Sequence, residues 1–333
     1  MNILFDIGIE LPASETERIS HAWPGAEVKF HLRAGSKPIP TKEIIDVFVA
    51  EFPPEDLGQW KALQFYQCVA AGINHFSKHP IWETRIPVAT ASGIHSVPMA
   101  EFATCGLLML ARRFPQINHF KATRQWPDRV KIGGETLRGQ TVGVIGYGSI
   151  GRECARQAQA LGMRVVCLKR NPREKADHGF NAWRGTGDPS GSIPERWFGP
   201  KEIGQMMPEC DSLIVAAPRT PETENLIGAR EIALLRPGAW VVIISRGGII
   251  NEADLAAALR ERRIRGALID GYLTEPPSSR HPFFDLDNVI LSPHMSGVFG
   301  SYWEKFVDLF CENLRRWREK NSLFNLAKPG LGY

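Results

Sequence analysis

Three side chains of unlike chemistry stand just past three short apolar runs in the second half of the chain. Arg246 follows Ala239–Ile244, in the stretch Ser245-Arg-Gly-Gly-Ile-Ile-Asn-Glu-Ala-Asp-Leu255. Glu275 follows Gly266–Asp270, before Pro276-Pro277, and His294 follows Asn288–Leu291, in Ser-Pro-His. Each run reads as a buried β-strand. The three residues therefore belong to the C-terminal edge of a parallel sheet, where open α/β folds bind ligands. A cation, a carboxylate and an imidazole together suit the reduction of a carbonyl. The cation holds a carboxylate and polarises the carbonyl, the imidazole passes a proton to the forming alkoxide, and the carboxylate orients the imidazole.

Upstream, Thr141–Ile145 reads as a strand that runs directly into Gly146-Tyr147-Gly148-Ser149-Ile150-Gly151 and then a helical stretch to Leu161. This is G-x-G-x-x-G in the setting that dinucleotide binding requires, a strand before and a helix after. Gly146 permits the tight turn, Gly148 lets the backbone approach a pyrophosphate, and Gly151 lets the helix pack on the strand. The helix N-terminus offers its free N–H groups to the phosphates. All six positions of the fingerprint are candidate cofactor contacts. An NAD site places an acid about 20 residues further on, at the end of the second strand. Here Arg164–Leu168 is followed by Lys169 and Arg170. Two cations attract a 2′-phosphate that an acid would repel, so NADP(H) is expected over NAD(H). Arg173, Lys175, Arg184 and Arg219 are possible reinforcements.

The elements that must position these residues form two β/α series. Ile3–Phe5, Val28–Phe30, Ile44–Val49, Leu63–Val69 and Pro87–Ala89 are the strand candidates of the first, with a helix over Ser14–Trp23. A long apolar helix, Pro98–Phe114, is capped by Ser96 and stops near Pro115, and the polar stretch Asn118–Gly134 follows. The second series has six strands, the four already named together with Arg164–Leu168 and Ser212–Ala216. The segment Asn171–Pro200 reads as a long surface excursion, and a last helix, Ser301–Glu319, carries Phe306, Phe310, Leu314 and Trp317 on one face. The expected class is α/β, with two Rossmann-like, doubly wound parallel sheets.

Bulk properties narrow the function. The 333 residues suffice for two domains, and 43% hydrophobic with 23% charged residues is a globular composition. A net charge of +4 without a dense basic block gives no indication of nucleic acid. Cys68, Cys105, Cys154, Cys167, Cys210 and Cys311 are scattered, with no C-x-x-C, and read as reduced packing residues. No metal-ligand spacing, signal-peptide pattern or membrane span is found, so a cytoplasmic protein is expected.

With these motifs in order, the chain resembles the D-isomer-specific 2-hydroxyacid dehydrogenases over nearly its whole length. Within that family it looks most like the NADPH-linked glyoxylate/hydroxypyruvate reductase-type members. Ala70-Ala-Gly-Ile-Asn-His75 resembles the family's substrate-carboxylate loop, Ser92–Glu101 the stretch before its interdomain helix, and Ala216–Thr223 its nicotinamide-side loop. The resemblance implies a cofactor domain (residues 101–296) inserted into a discontinuous substrate domain (1–100 plus 297–333). It further implies a homodimer with an arm near Asn118–Gly134. It places Arg246, Glu275 and His294 in catalysis, with Arg246 and the backbone of Ala71, Gly72 and Ile73 on the substrate. Ala217, Pro218, Thr223 and Ser245 join the cofactor contacts. Asp270 is assigned to the cofactor or to the fold. The product would be a D-2-hydroxy acid.

Taken singly, each residue has an ordinary use: a loop arginine, a turn glutamate, a buried histidine. Their order at three successive strand ends favours chemistry. His75 and His95 lie in cleft-facing motifs without an assigned chemical role. Phe52, Trp126, Tyr272 and Trp303 are candidate pocket walls, although packing is the commoner use of an aromatic ring. A nicotinamide-sensing, corepressor-like binding protein on the same fold is the alternative. A third reading is a related enzyme acting on formate, phosphite or an amino acid, and Glu275 disfavours the formate type.

Overall fold

A computed structural model describes residues 1–32 and 42–328. The chain divides into two compact units. One comprises Met1–Ile94, Gly179–Arg184 and Phe299–Tyr333, and the other His95–His178 and Gly185–Val298. The expected division differs by a few residues at each boundary, and it did not assign Gly179–Arg184 to the first unit.

In the first unit, β1 (Asn2–Asp6), α1 (Ala13–Ala22), β2 (Glu27–Phe30), β3 (Val47–Ala50), β4 (Phe65–Cys68) and β5 (Val88–Ala89) build a five-stranded sheet in the order β2-β1-β3-β4-β5. All its pairings are parallel. A parallel sheet covered on both faces buries continuous apolar runs, as β3 and β4 do along their whole length. The C-terminal helix, Tyr302–Arg318, closes one face with Phe306, Phe310 and Leu314, all fully buried. Phe310 meets Phe5 edge-on at 5.4 Å. Residues 179–184 pack here too: the Trp183 indole N–H donates to the Ile94 carbonyl (2.8 Å), and Phe180 packs on Phe324.

The second unit runs through α2 (Ser96–Ala111), α3 (Phe114–Thr123), β6 (Thr141–Ile145), α4 (Ser149–Ala160), β7 (Arg164–Leu168) and β8 (Arg196–Phe198). It continues with α5 (Ile203–Met206), β9 (Ser212–Val215), α6 (Ala229–Leu234), β10 (Ala239–Ile243), α7 (Glu252–Arg260), β11 (Ile264–Ile269) and β12 (Val289–Leu291). Its seven strands are parallel, in the order β12-β11-β10-β9-β6-β7-β8. The sheet changes direction at β6/β9, which puts the glycine loop at the switch point.

Three expectations need correction. The six strands are seven, because the excursion ends in the edge strand β8. The apolar helix stops at Ala111, slightly early, and a second helix that was not expected starts at Phe114: Arg113 adopts a left-handed conformation (φ 56°), and Pro115 lies in the first turn of α3, where its missing N–H costs nothing. Ser96 is the first helical residue of α2 rather than its cap. No helix is long and apolar enough to cross a membrane, and no cluster of three or more His, Cys, Asp or Glu is arranged to hold a metal, among the described residues.

A polar tie runs through the core of the first unit. Asn313, fully buried on the C-terminal helix, donates to Gln67 Oε1 (3.1 Å) and accepts from the Phe324 N–H (2.8 Å). Asn313→Ala leaves Gln67 and Phe324 without this partner. It should lower stability by about 2 kcal/mol, read as a lower urea midpoint with an unchanged slope.

Candidate active site

The trio expected from the sequence is assembled in the second unit. The His294 ring lies between the other two, with Nδ1 2.7 Å from Glu275 Oε2 and Nε2 3.0 Å from Arg246 Nη1. A guanidinium only donates, so Nε2 accepts from Arg246 and the ring proton sits on Nδ1, facing Glu275. Glu275 is fixed in turn by the Tyr272 N–H on its other oxygen (3.0 Å). His294 and Glu275 are about one-third exposed, at 35% and 36% of their side chains, which leaves the pair open to a ligand.

Two features bring these residues together. Gly247 lies against the backbone after β11, and a Cβ there would stand 1.9 Å from the Tyr272 carbonyl carbon. Only glycine lets the Arg246 loop pass so close to the loop that carries Glu275. Asp270, 1% exposed at the end of β11, then holds the His294 turn. Its Oδ1 accepts from the Ser292 hydroxyl (2.6 Å) and the Met295 N–H (2.7 Å), and its Oδ2 from the Ser296 N–H (3.0 Å). His294 has φ 57°, a left-handed conformation that is uncommon without glycine. That conformation turns the next two amides toward one carboxylate. These bonds account for both oxygens of Asp270.

The glycine loop is shaped for a dinucleotide. Gly146 has φ +91°, and a Cβ on it would come 2.6 Å from the Ala217 backbone. A Cβ on Gly151 would stand 2.0 Å from the Gly146 carbonyl, so the helix starts in backbone contact with the turn. Gly148, the N-cap of α4, faces open space, with nothing within 4 Å of a would-be Cβ. Ser149 and Ile150 form the first turn of the helix, whose amides have no intrahelical partner. The residues present thus fit a pyrophosphate. Ala217 and Pro218 line the neighbouring loop, which Thr223 closes by accepting from the Thr220 N–H and donating to the Pro218 carbonyl (both 2.8 Å). Ser245 is buried behind Arg246.

Lys169 and Arg170 follow β7, the first half-buried and the second exposed. The Lys169 ammonium donates to the Glu174 carbonyl. Burial and the nearby Arg152 cation hold its pKa below the ordinary lysine value. Arg219 is paired with Glu224 (2.8 Å), Lys175 lies over the Trp197 ring, and Arg184 belongs to the first unit.

Ala71, Gly72 and Ile73 follow β4 in the first unit. Beside them Phe52, 49% exposed, meets His75 edge-on at 4.8 Å, and His75 Nε2 donates to the Glu51 carbonyl. Trp126 is 75% exposed, whereas Trp303 packs among Tyr302 and Phe306. Tyr272 is buried, with its hydroxyl on the Ser292 carbonyl (3.0 Å), so it braces the His294 turn rather than lining a wall.

Sequence reasoning gave no part to Glu252 and His281. Glu252 accepts from the Leu273 N–H (2.6 Å) and from His281 Nε2 (3.0 Å), which anchors the loop around Glu275. An acid in the first turn of a helix reads as a dipole partner, and no local signal pairs it with residues more than twenty positions away.

Comparison with known proteins gives the chain its relatives. Residues 105–296 match the family model for the NAD-binding domain of D-isomer-specific 2-hydroxyacid dehydrogenases. The chain is similar to a glyoxylate reductase of Thermococcus gammatolerans (33% identity, 74% of this chain and 70% of the relative). It is also similar to an (S)-sulfolactate dehydrogenase of Chromohalobacter salexigens (29% identity, 79% and 80%). A D-isomer-specific 2-hydroxyacid dehydrogenase of Xanthobacter autotrophicus Py2, solved with NADPH and MES, shares the fold with a TM-score of 0.82 at 22% identity, covering 100% of this chain and 99% of the other.

His95, which precedes α2, also lies within the field of Arg246. Burial first and the Arg246 charge second push its pKa from 6.5 down to about 4. The unfolded chain therefore binds a proton that the folded chain refuses. This contribution is complete above pH 6.5 and is lost as pH falls toward 4. His95→Gln should flatten the decline in stability over that window, measured as urea midpoints between pH 7 and 4.

Proposed function

Because the chain belongs to the D-isomer-specific 2-hydroxyacid dehydrogenase family, we propose that it reduces a small 2-keto acid to the D-2-hydroxy acid with NADP(H). The observation that carries this reading is the continuous Arg246–His294–Glu275 chain of hydrogen bonds at the strand ends of the sheet that bears the glycine loop. When bound, the nicotinamide supplies the hydride that reduces C2 of the keto acid.

The chain's own residues do the rest. Arg246 turns its donors to the substrate carboxylate and carbonyl, and the family resemblance assigns a carboxylate-binding part to the backbone N–H groups around Ala71, Gly72 and Ile73. Turning away from His294 uncovers Nε2, which then carries the proton given to the alkoxide. Glu275 holds the ring through Nδ1 and balances the imidazolium charge. Gly146, Gly148, Ser149, Ile150 and Gly151 seat the pyrophosphate, with Ala217, Pro218, Thr223 and Ser245 on the nicotinamide side; Tyr147 turns its side chain inward and Asp270 spends both oxygens on the His294 turn, so neither side chain is assigned to the cofactor.

Lys169 and Arg170 take the 2′-phosphate. No acid stands at the end of β7, and the solved Xanthobacter relative carries NADPH. A glyoxylate reductase among the relatives supports a small 2-keto acid as substrate. The same reading includes a homodimer, in which a second copy covers the exposed apolar groups Leu108, Phe114 and Ile117 on α2 and α3 and Trp126 beyond them.

The test is the rate of NADPH oxidation, with NADH in parallel, against glyoxylate, hydroxypyruvate, 2-ketoisovalerate, ketopantoate and phenylpyruvate. Rapid NADPH-specific consumption with one of them is the expected result. Cofactor binding without turnover on any of them would contradict it. Lys169→Asp combined with Arg170→Ala should raise the KM for NADPH about a hundredfold, by replacing two charge-assisted contacts with repulsion, and should favour NADH.

A further inference from the structure

Tyr147 occupies a variable position of the glycine loop, yet its side chain is turned inward and only 2% exposed. Its hydroxyl donates to Asp188 Oδ2 at 2.8 Å, and its ring meets Trp197 edge-on at 4.9 Å. Asp188 comes from the returning limb of the excursion between β7 and β8. The carboxylate is 3% exposed and also accepts from the Ser192 and Ile193 N–H groups (2.9 and 3.1 Å).

The two residues after the last glycine of the fingerprint are committed to the same segment. Arg152, 2% exposed on α4, lies 4.9 Å from the Tyr147 ring centroid. It donates to the Asp188 carbonyl (2.5 Å) and the Lys175 carbonyl (2.7 Å), and it lies 3.4 Å from Asp177 Oδ2. Glu153, fully buried, accepts from the Gly187 N–H (2.7 Å). The outgoing and returning limbs are joined where the Asp177 N–H donates to the Pro189 carbonyl (2.9 Å). Buried charges are costly unless fully partnered, and a solvent loop needs no such anchorage.

The anchorage reaches the cations after β7. Two successive carbonyls of the outgoing limb are held by side chains next to the glycine loop and the end of β7, that of Glu174 by Lys169 and that of Lys175 by Arg152. The place of the Lys169 ammonium is therefore set through the excursion. Burial and the Arg152 cation both disfavour its charged form, and a bound dianion would relieve that.

We propose that the excursion is a clamp on the dinucleotide loop, in which Tyr147, Arg152 and Asp188 are positioning residues that hold Lys169 in reach of the 2′-phosphate. This rests on the NADP(H) reading above and assigns the selectivity for that phosphate to a segment beyond the two cations.

The test measures equilibrium Kd values for NADPH and NADH by calorimetry, together with kcat at saturating NADPH, in the full chain and in Tyr147→Phe and Asp188→Asn. Each variant removes or weakens one charge-assisted bond outside the phosphate contacts. The Kd for NADPH should rise about tenfold, that for NADH by less than about threefold, and kcat should stay within about twofold. Equal weakening of both cofactors would reduce the network to simple support of the fold and overturn the proposal, as would an unchanged Kd for NADPH. If Asp188→Asn does not fold, Tyr147→Phe, which deletes a single oxygen, decides alone. Tighter binding of NADH than NADPH by the unaltered chain would refute the cofactor reading itself, and the clamp's role with it.

Discussion

The arrangement depends on one buried carboxylate. Asp270 is removed from solvent at the end of β11 and returns three hydrogen bonds to the turn after β12. That turn is unfavourable on its own, because it holds His294 in the left-handed region. A carboxylate that accepts the two following amides makes it the better choice locally and points the imidazole between Arg246 and Glu275. That anchor fixes the backbone from which the ring reaches its two partners. With it, three residues far apart in sequence share one unbroken line of hydrogen bonds.

Buried charge elsewhere in the second unit is used in the same way. Arg152, Glu153 and Asp188 are each almost wholly enclosed, and each is bonded to backbone that lies beside the glycine loop or the cations after β7. Two interior electrostatic anchors thus flank the switch point of the sheet, one for the Arg246–His294–Glu275 line and one for the glycine loop. The His294 ring and the Lys169 ammonium, beside these anchors, stay half-buried. Fixed charges inside give a site that is ordered before any ligand arrives, which limits the rearrangement needed on binding.

Much of this was legible in the sequence, for physical reasons. Parallel strands buried on both faces read as apolar runs, and glycines at a strand–helix junction report a backbone approach that no side chain tolerates. Arg246, Glu275 and His294 could be read because strand ends fall on one edge. What stayed hidden depended on long-range pairing. β8 is three residues of an edge strand, Arg196–Phe198, whose alternation is too short to be seen. The break between α2 and α3 lies at Arg113, a residue type that carries no left-handed signal. Gly179–Arg184 joins the first unit through Phe180 and Trp183, two aromatics that looked like loop residues. Asp270 could be placed at a strand end, but its three partners sit more than twenty residues away, so its work was not visible.

In the proposed reaction His294 delivers the proton and takes no part in holding the cofactor. The most direct measurement compares His294→Ala with the unaltered chain for two quantities, turnover of NADPH with the best 2-keto acid and the equilibrium Kd for NADPH. The account predicts turnover lower by a factor of about 10² to 10⁴, with the Kd within about twofold. Turnover left intact would show that another group supplies the proton, and the account of the site would fail.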